Sequence, residues 1–192
     1  DLDHLVDKVF RELEPLDVEA IRRSRTDLTI ATTDFETGEP RYFNNWREDD
    51  IFQVLKASKA APVVYKGEVW INRRRYIDGD ISSSLEKNID VALHGGAELV
   101  MAIDNNNVLS RVNRLFLLRY VESANPRLRE AIESYIGAKT ERREDPRVIY
   151  ITPTTQLPIG TLDNDREKLR KTMDIGYGDV VNNVRLRELL EA

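Results

Sequence analysis

The run Tyr76-Ile77-Asp78-Gly79-Asp80 places a carboxylate and a glycine where strand-forming residues give out, just ahead of a helical stretch. An acid at such a corner is either a turn residue that satisfies nearby backbone or a group that handles protons. Gly79 permits positive φ and lets the backbone approach a neighbour closely. A carboxylate just past a sheet strand also lies where α/β proteins place ligands. On these residues alone both roles stay open. Asp80, a second acid, would either raise the pKa of Asp78 by like-charge repulsion or point to solvent.

Other candidate groups read as structural. His4 lies between Asp3 and Asp7, which imitates a metal cluster but fits a charged helix face. His94 precedes Gly95 at an expected helix end, so a Ser-His-Asp triad is poorly supported. Asp163-Asn164-Asp165 reads as a helix cap. The run "GYGD" at 176 to 179 follows a helix instead of a strand, which makes it a helix break and not a dinucleotide loop. Arg73-Arg74-Arg75 is expected at a solvated strand end. With Lys56, Lys59 and Lys66 it would attract an anionic head group. The segment Leu115 to Leu118, flanked by Arg111, Arg114 and Arg119, has the make-up of an interfacial helix or of a core-packing one.

Composition narrows the class. The chain has 192 residues, 41% of them hydrophobic and 33% charged, as expected of one soluble globular domain with its own core. A formal net charge of -5 argues against a general nucleic-acid binder. No window is apolar enough for a transmembrane segment, and "DLDHLVDKVF" is no signal peptide. Cysteine is absent, which removes disulfides, thiol catalysis and thiolate metal sites.

The elements that would position Asp78 follow from periodicity. Residues 2 to 14 have helical apolar spacing, and a second helix is expected after Asp17. "DLTIATTD" reads as a buried strand, "ETGEP" as a turn and "RYFNN" as the returning strand. A helix over "DDIFQVLKASKAA" is followed by β character running through "EVWINRRRYI" into Asp78. Further helices are expected over 84–94, 108–121, 126–137, 163–174 and 179–191, with strands at 97–103 and "RVIYITP". Alternating strands and helices predict an α/β sheet sandwiched between helical layers.

Four blocks in order, "ATTDFETGEPRYF", "VLKASKAAPVVY", "YIDGD" and "DVALHGGAELVMAID", resemble the patatin-like family of lipid acyl hydrolases. The resemblance covers residues 27 to 104 and weakens on either side. It implies a three-layer α/β/α fold, with residues 1–192 as the C-terminal part of the acyl hydrolase domain. It also implies that Asp78 is the base of a Ser-Asp dyad, within the catalytic corner Asp78-Gly79-Asp80. Asp80 departs from the family's usual Gly or Ala. The activity implied is that of a serine esterase or phospholipase A in lipid degradation, needing neither metal nor organic cofactor. Its partner would be a lipid or acyl-ester substrate, with contact at a membrane surface left open, and its location cytoplasmic or peripheral to a membrane.

The family's nucleophile sits in a Gly-x-Ser-x-Gly turn and its oxyanion loop is glycine-rich. None of the eight serines here has a glycine two places before or after it. The nucleophile is therefore expected upstream of Asp1, which also accounts for a start without methionine. The chain alone would be inactive, with one sheet face or edge near "LTIATT" left uncovered. Two rivals stand beside this reading. One is a patatin-derived interaction module without catalysis. The other is an unrelated α/β domain with a small ligand, against which the missing phosphate loops count.

Overall fold

The computed structural model describes residues 1–105, 115, 117–120, 123–137, 142–160 and 163–191. Its fold is mixed α/β. The chain divides into two compact units, Asp1–Ser84 with Arg111–Thr140, and Leu85–Ser110 with Glu141–Ala192.

In the first unit the opening helix, His4–Leu13, is wound with i→i+5 hydrogen bonds, as in Glu14 N–H to the Val9 carbonyl at 2.8 Å. It buries Val6, and the Asp3 and Asp7 carboxylates reach Lys56 Nζ at 3.0 and 2.5 Å. Helix α1 (Val18–Arg23) starts at Asp17, whose carboxylate accepts the Ala20 N–H at 2.8 Å. Helix α2 (Ile51–Ala57) starts at Asp50, which accepts from Phe52 and Gln53. Both carboxylates satisfy amides that a first helical turn leaves unpaired.

Strands β1 (Thr29–Asp34), β2 (Pro40–Asn44), β3 (Val69–Ile71) and β4 (Arg74–Asp78) form a four-stranded sheet in the order β2-β1-β4-β3. Every neighbouring pair in it is antiparallel. The β character expected to run unbroken through "EVWINRRRYI" is in fact a hairpin. Asn72 and Arg73 turn it with φ of 51° and 64°, and Ile71 pairs with Arg74. Positive φ at both central residues matches the right-handed twist of the flanking strands. Under the sheet lie Phe43, Val54, Ala57, Ala60, Val69, Ile71 and Tyr76. The Phe43 and Tyr76 rings meet edge to face at 5.4 Å.

Strand β1 does not form the uncovered edge expected near "LTIATT". It is paired with β2 on one side and β4 on the other, so it is interior to the sheet. The turn that follows it is closed by Asp34, whose carboxylate accepts from Glu36 and Thr37 N–H at 2.9 and 3.1 Å. Gly38 completes that turn at φ 70°, and a Cβ there would meet the Arg127 carbonyl oxygen at 2.6 Å. Arg127 belongs to the helix Pro126–Gly137, which buries Leu128 and Ile132.

The second unit contains helix α3 (Leu85–His94), then strands β5 (Val100–Ile103) and β6 (Val148–Ile151), which pair in parallel. Ile89 of α3 packs with Ala102 and Val148. Arg143 bridges Glu86 at 2.9 Å and Asp90 at 2.7 Å. Following the helix at 126–137, designated α4, come α5 (Arg166–Val181) and α6 (Val184–Glu191). Asp165 caps α5 through Glu167 and Lys168 N–H at 2.9 and 3.0 Å. The expected break at "GYGD" does not occur: α5 runs through Gly176, Tyr177 and Gly178, and the Asn182 N–H still bonds the Gly178 carbonyl at 2.9 Å. In this unit Leu99 and, on β5, Met101 and Ile103 remain 43%, 47% and 65% exposed. No described helix is long and apolar enough to cross a membrane. The helix expected over 108–121 lies mostly outside the described residues, including Arg111, Arg114 and Phe116.

Asn45 ties the ends of the first unit's sheet to α1. Its Oδ1 accepts the Leu28 N–H at 2.9 Å, and its Nδ2 donates to the Ile21 and Thr26 carbonyls at 2.8 and 3.2 Å. Asn45 is 5% exposed, so removing it strands buried polar groups. Asn45→Ala should lower unfolding stability by about 2–3 kcal/mol, read from the urea midpoint. A change within experimental error would show that water readily replaces these bonds.

Candidate functional site

Asp78 is the last residue of β4 and opens a short 3₁₀ turn, Gly79–Ile81. Pairing with β1 sets its register, with Asp78 opposite Thr32. Its N–H bonds the Ala60 carbonyl at 3.2 Å, and its carbonyl accepts the Thr33 hydroxyl at 2.8 Å. The side chain is half-buried, and Oδ1 accepts the Asp80 N–H at 3.0 Å. Asp78 thus satisfies the turn as a local cap while keeping the rest of its carboxyl for other work.

Gly79 explains why the corner has no side chain. A Cβ at that position would lie 2.3 Å from the Ala31 carbonyl oxygen, so β1 backbone occupies the space. Of the two reasons the sequence offered for this glycine, close approach is the one that applies; its φ is not in the left-handed region. The chain can therefore fold back over β1 directly after Asp78, which holds the carboxyl at the sheet end.

Electrostatics separate Asp78 from the other acids of the turns. Burial, and next the charge of Asp80, push its carboxyl up from 3.8 to about 6. The Asp80 N–H and the Lys59 ammonium oppose the rise. Asp80 is exposed, so it acts at the site through its charge and its amide. Tyr135 on α4 is raised by burial and then by Asp80 and Asp78, which locates it near the same corner. Nothing in the sequence pointed to Tyr135, because only packing of α4 brings it there. A carboxylate with a pKa near 6 is a stronger base than an ordinary one and is still mostly ionised at neutral pH.

The remaining candidates have structural partners. Arg74 pairs with Asp34 at 3.2 Å, and Arg75 pairs with Glu68 at 2.8 Å while stacking 3.8 Å from the Phe35 ring centroid. Lys56 is held by Asp3 and Asp7, and Lys59 acts on Asp78, so the basic run and its lysines do not form one free anion site. Lys66 and Arg73 are in no ion pair among the described residues. The His94 ring contacts the Asp90 carbonyl at 2.7 Å, as a helix-end histidine would. Ser58 Oγ donates to the Leu55 carbonyl, Ser82 Oγ lies 2.8 Å from Thr33 Oγ1, and Ser83 Oγ lies 2.7 Å from the Tyr42 hydroxyl. Ser82 and Ser83 are buried. Among the described residues no cluster of three or more His, Cys, Asp or Glu is arranged to hold a metal.

The chain matches no protein-family model and no curated protein.

The raised Asp78 pKa has a thermodynamic consequence of definite sign. Between about pH 4 and pH 6 the folded state holds a proton that the unfolded state has released, so stability falls as pH rises through this window. Asp78→Asn removes that penalty. The variant should match the wild type at pH 3.5 and exceed it by on the order of 1–3 kcal/mol at pH 7.5, measured by urea denaturation. A pH-independent difference would contradict the buried, charge-disfavoured carboxyl. Gly79→Ala should instead destabilise at every pH, by about 1–3 kcal/mol, since its methyl must displace β1 backbone. An unchanged melting temperature would contradict that contact.

Proposed function

We propose that Asp78 is the general base of a patatin-like serine acyl hydrolase that cleaves acyl esters of lipids. The observation that carries this reading is the Asp78 corner itself: a half-buried carboxyl at a strand end, with a pKa of about 6 and held from one side by the Asp80 amide. The four sequence blocks over residues 27 to 104 supply the family. On this reading the complete fold is a three-layer α/β/α domain, and these residues form its later part.

In the proposed reaction a serine Oγ attacks the ester carbonyl carbon while Asp78 accepts the hydroxyl proton directly. Backbone amides hold the developing oxyanion. The protonated Asp78 then gives its proton to the departing alcohol, leaving the acyl group on serine. A water molecule then attacks the acyl-serine carbonyl while Asp78 takes its proton, and Asp78 returns that proton to the serine Oγ as the acid leaves. The reaction needs no metal and no organic cofactor. None of the eight serines in this sequence stands in a Gly-x-Ser-x-Gly turn, so the nucleophile is assigned to residues outside these 192.

Two measurements test the assignment. In the full-length protein, Asp78→Asn should lower hydrolysis of a short p-nitrophenyl ester by about 10³-fold or more while the fold is retained. Wild-type turnover in the folded variant would remove Asp78 from the chemistry. A serine-directed fluorophosphonate should label the full-length protein and leave the 192-residue chain unlabelled. Stoichiometric labelling of Ser58, Ser82, Ser83 or Ser84 would put the nucleophile in this chain instead.

A further inference from the structure

We infer that Thr33, braced by Ser82, is the positioning residue that fixes the direction in which Asp78 presents its carboxyl. The inference rests on the reading of Asp78 as the base, and it assigns a role to a residue of β1 that does not itself meet substrate.

Thr33 is fully buried in the interior strand of the sheet. Its single hydroxyl proton is committed to the Asp78 carbonyl oxygen at 2.8 Å. Ser82 Oγ also lies 2.8 Å from Thr33 Oγ1, and with the Thr33 proton already used, the proton in that contact comes from Ser82. The order is therefore directional: Ser82 donates to Thr33, and Thr33 donates to the Asp78 carbonyl. Ser82 is itself buried just beyond the 3₁₀ turn, so the chain of bonds closes a loop from the end of β4 around the corner and back.

That closed loop sets the peptide plane between Asp78 and Gly79. Gly79, the next residue of that peptide, leaves no room for a Cβ against the Ala31 carbonyl, two residues before Thr33 on the same strand. One strand thus holds the corner at two points, by a hydrogen bond at residue 33 and by contact at residue 31. The plane fixes the Asp78 Cα–Cβ direction, and the Asp80 N–H then fixes the carboxyl at 3.0 Å. A general base displaced by about 1 Å loses much of its rate, so a bond that sets its backbone acts on catalysis without contacting the substrate. The charged and titratable groups facing Asp78 are Asp80 from the turn, Lys59 from the segment after α2, and Tyr135 from α4. None of these is changed by altering Thr33.

The test compares Thr33→Val, which keeps the shape and removes the hydroxyl, with Thr33→Ser, which keeps the hydroxyl. Both are made in the full-length protein. Two readouts are taken: the Asp78 carboxyl titration by ¹³C NMR, and kcat and KM on a soluble short-chain ester across pH. In Thr33→Val, loosening of the corner admits water to the carboxyl. Its midpoint should then move from about 6 toward 3.8 by roughly half a unit or more. The kcat should fall about 10- to 100-fold with KM unchanged. Thr33→Ser should stay near the wild type in both. A folded Thr33→Val with an unchanged midpoint and an unchanged kcat would overturn the inference. If that variant does not fold, Ser82→Ala decides: its midpoint must move in the same direction, and an unmoved one overturns the inference. Should Asp78→Asn retain hydrolysis, the reading of Asp78 as base fails by itself, and the NMR comparison still decides what Thr33 does.

Discussion

The contact between Gly79 and the Ala31 carbonyl governs the geometry of the first unit. Where a side chain would begin there is already backbone, 2.3 Å from the position of a Cβ. That closeness lets β4 end against β1 and turn at once, so that Asp78 finishes as a strand residue and begins as a cap. Any larger residue would push the turn off the strand, and the Thr33 and Asp80 bonds to Asp78 would lengthen with it. The hydroxyl pair Thr33 and Ser82 and the tyrosine on α4 are arranged around a corner that only a glycine can make.

The same corner works against folding. Burial that holds Asp78 in place also disfavours its charge, and Asp80 adds repulsion to it. The cost is greatest at the pH where an ionised base would be useful. Asp17, Asp50 and Asp165 cap their helices from exposed positions, and Asp34, buried in its own turn, has the Arg74 guanidinium 3.2 Å away. Asp145 shows the opposite case, its carboxyl drawn down to about 2 by hydrogen bonds from Arg147. The difference between Asp78 and these acids lies in what surrounds the carboxyl, and it is of the kind that tunes general bases.

Local chemistry was legible in the sequence and long-range placement was not. The caps at Asp17 and Asp165 were readable because an N-cap needs only a short acceptor before a helical period. The helix at 126–137 and the strands at β1, β2, β5 and β6 followed from their apolar patterns. The hairpin at Asn72-Arg73 was hidden, since arginine gives no sign of positive φ and the flanking residues alternate without a gap. "GYGD" misled because glycine costs only about 1 kcal/mol in a helix, which the rest of α5 outweighs. The antiparallel order of the first unit's sheet was beyond periodicity, which describes a strand's faces and not its neighbours. At the site, Asp78, Gly79 and Asp80 were singled out from their corner. Thr33 and Tyr135 were not, because register and helix packing bring them there.

The central claim is that Asp78 faces a serine nucleophile across the corner that Gly79 makes possible. A crystal structure of the full-length protein inactivated by a fluorophosphonate would measure this directly. The account predicts phosphonate on a serine outside these 192 residues, with an Asp78 carboxylate oxygen about 2.6–3.2 Å from that Oγ. An adduct on a serine far from Asp78, with both Asp78 carboxylate oxygens beyond about 5 Å of that Oγ, would contradict it.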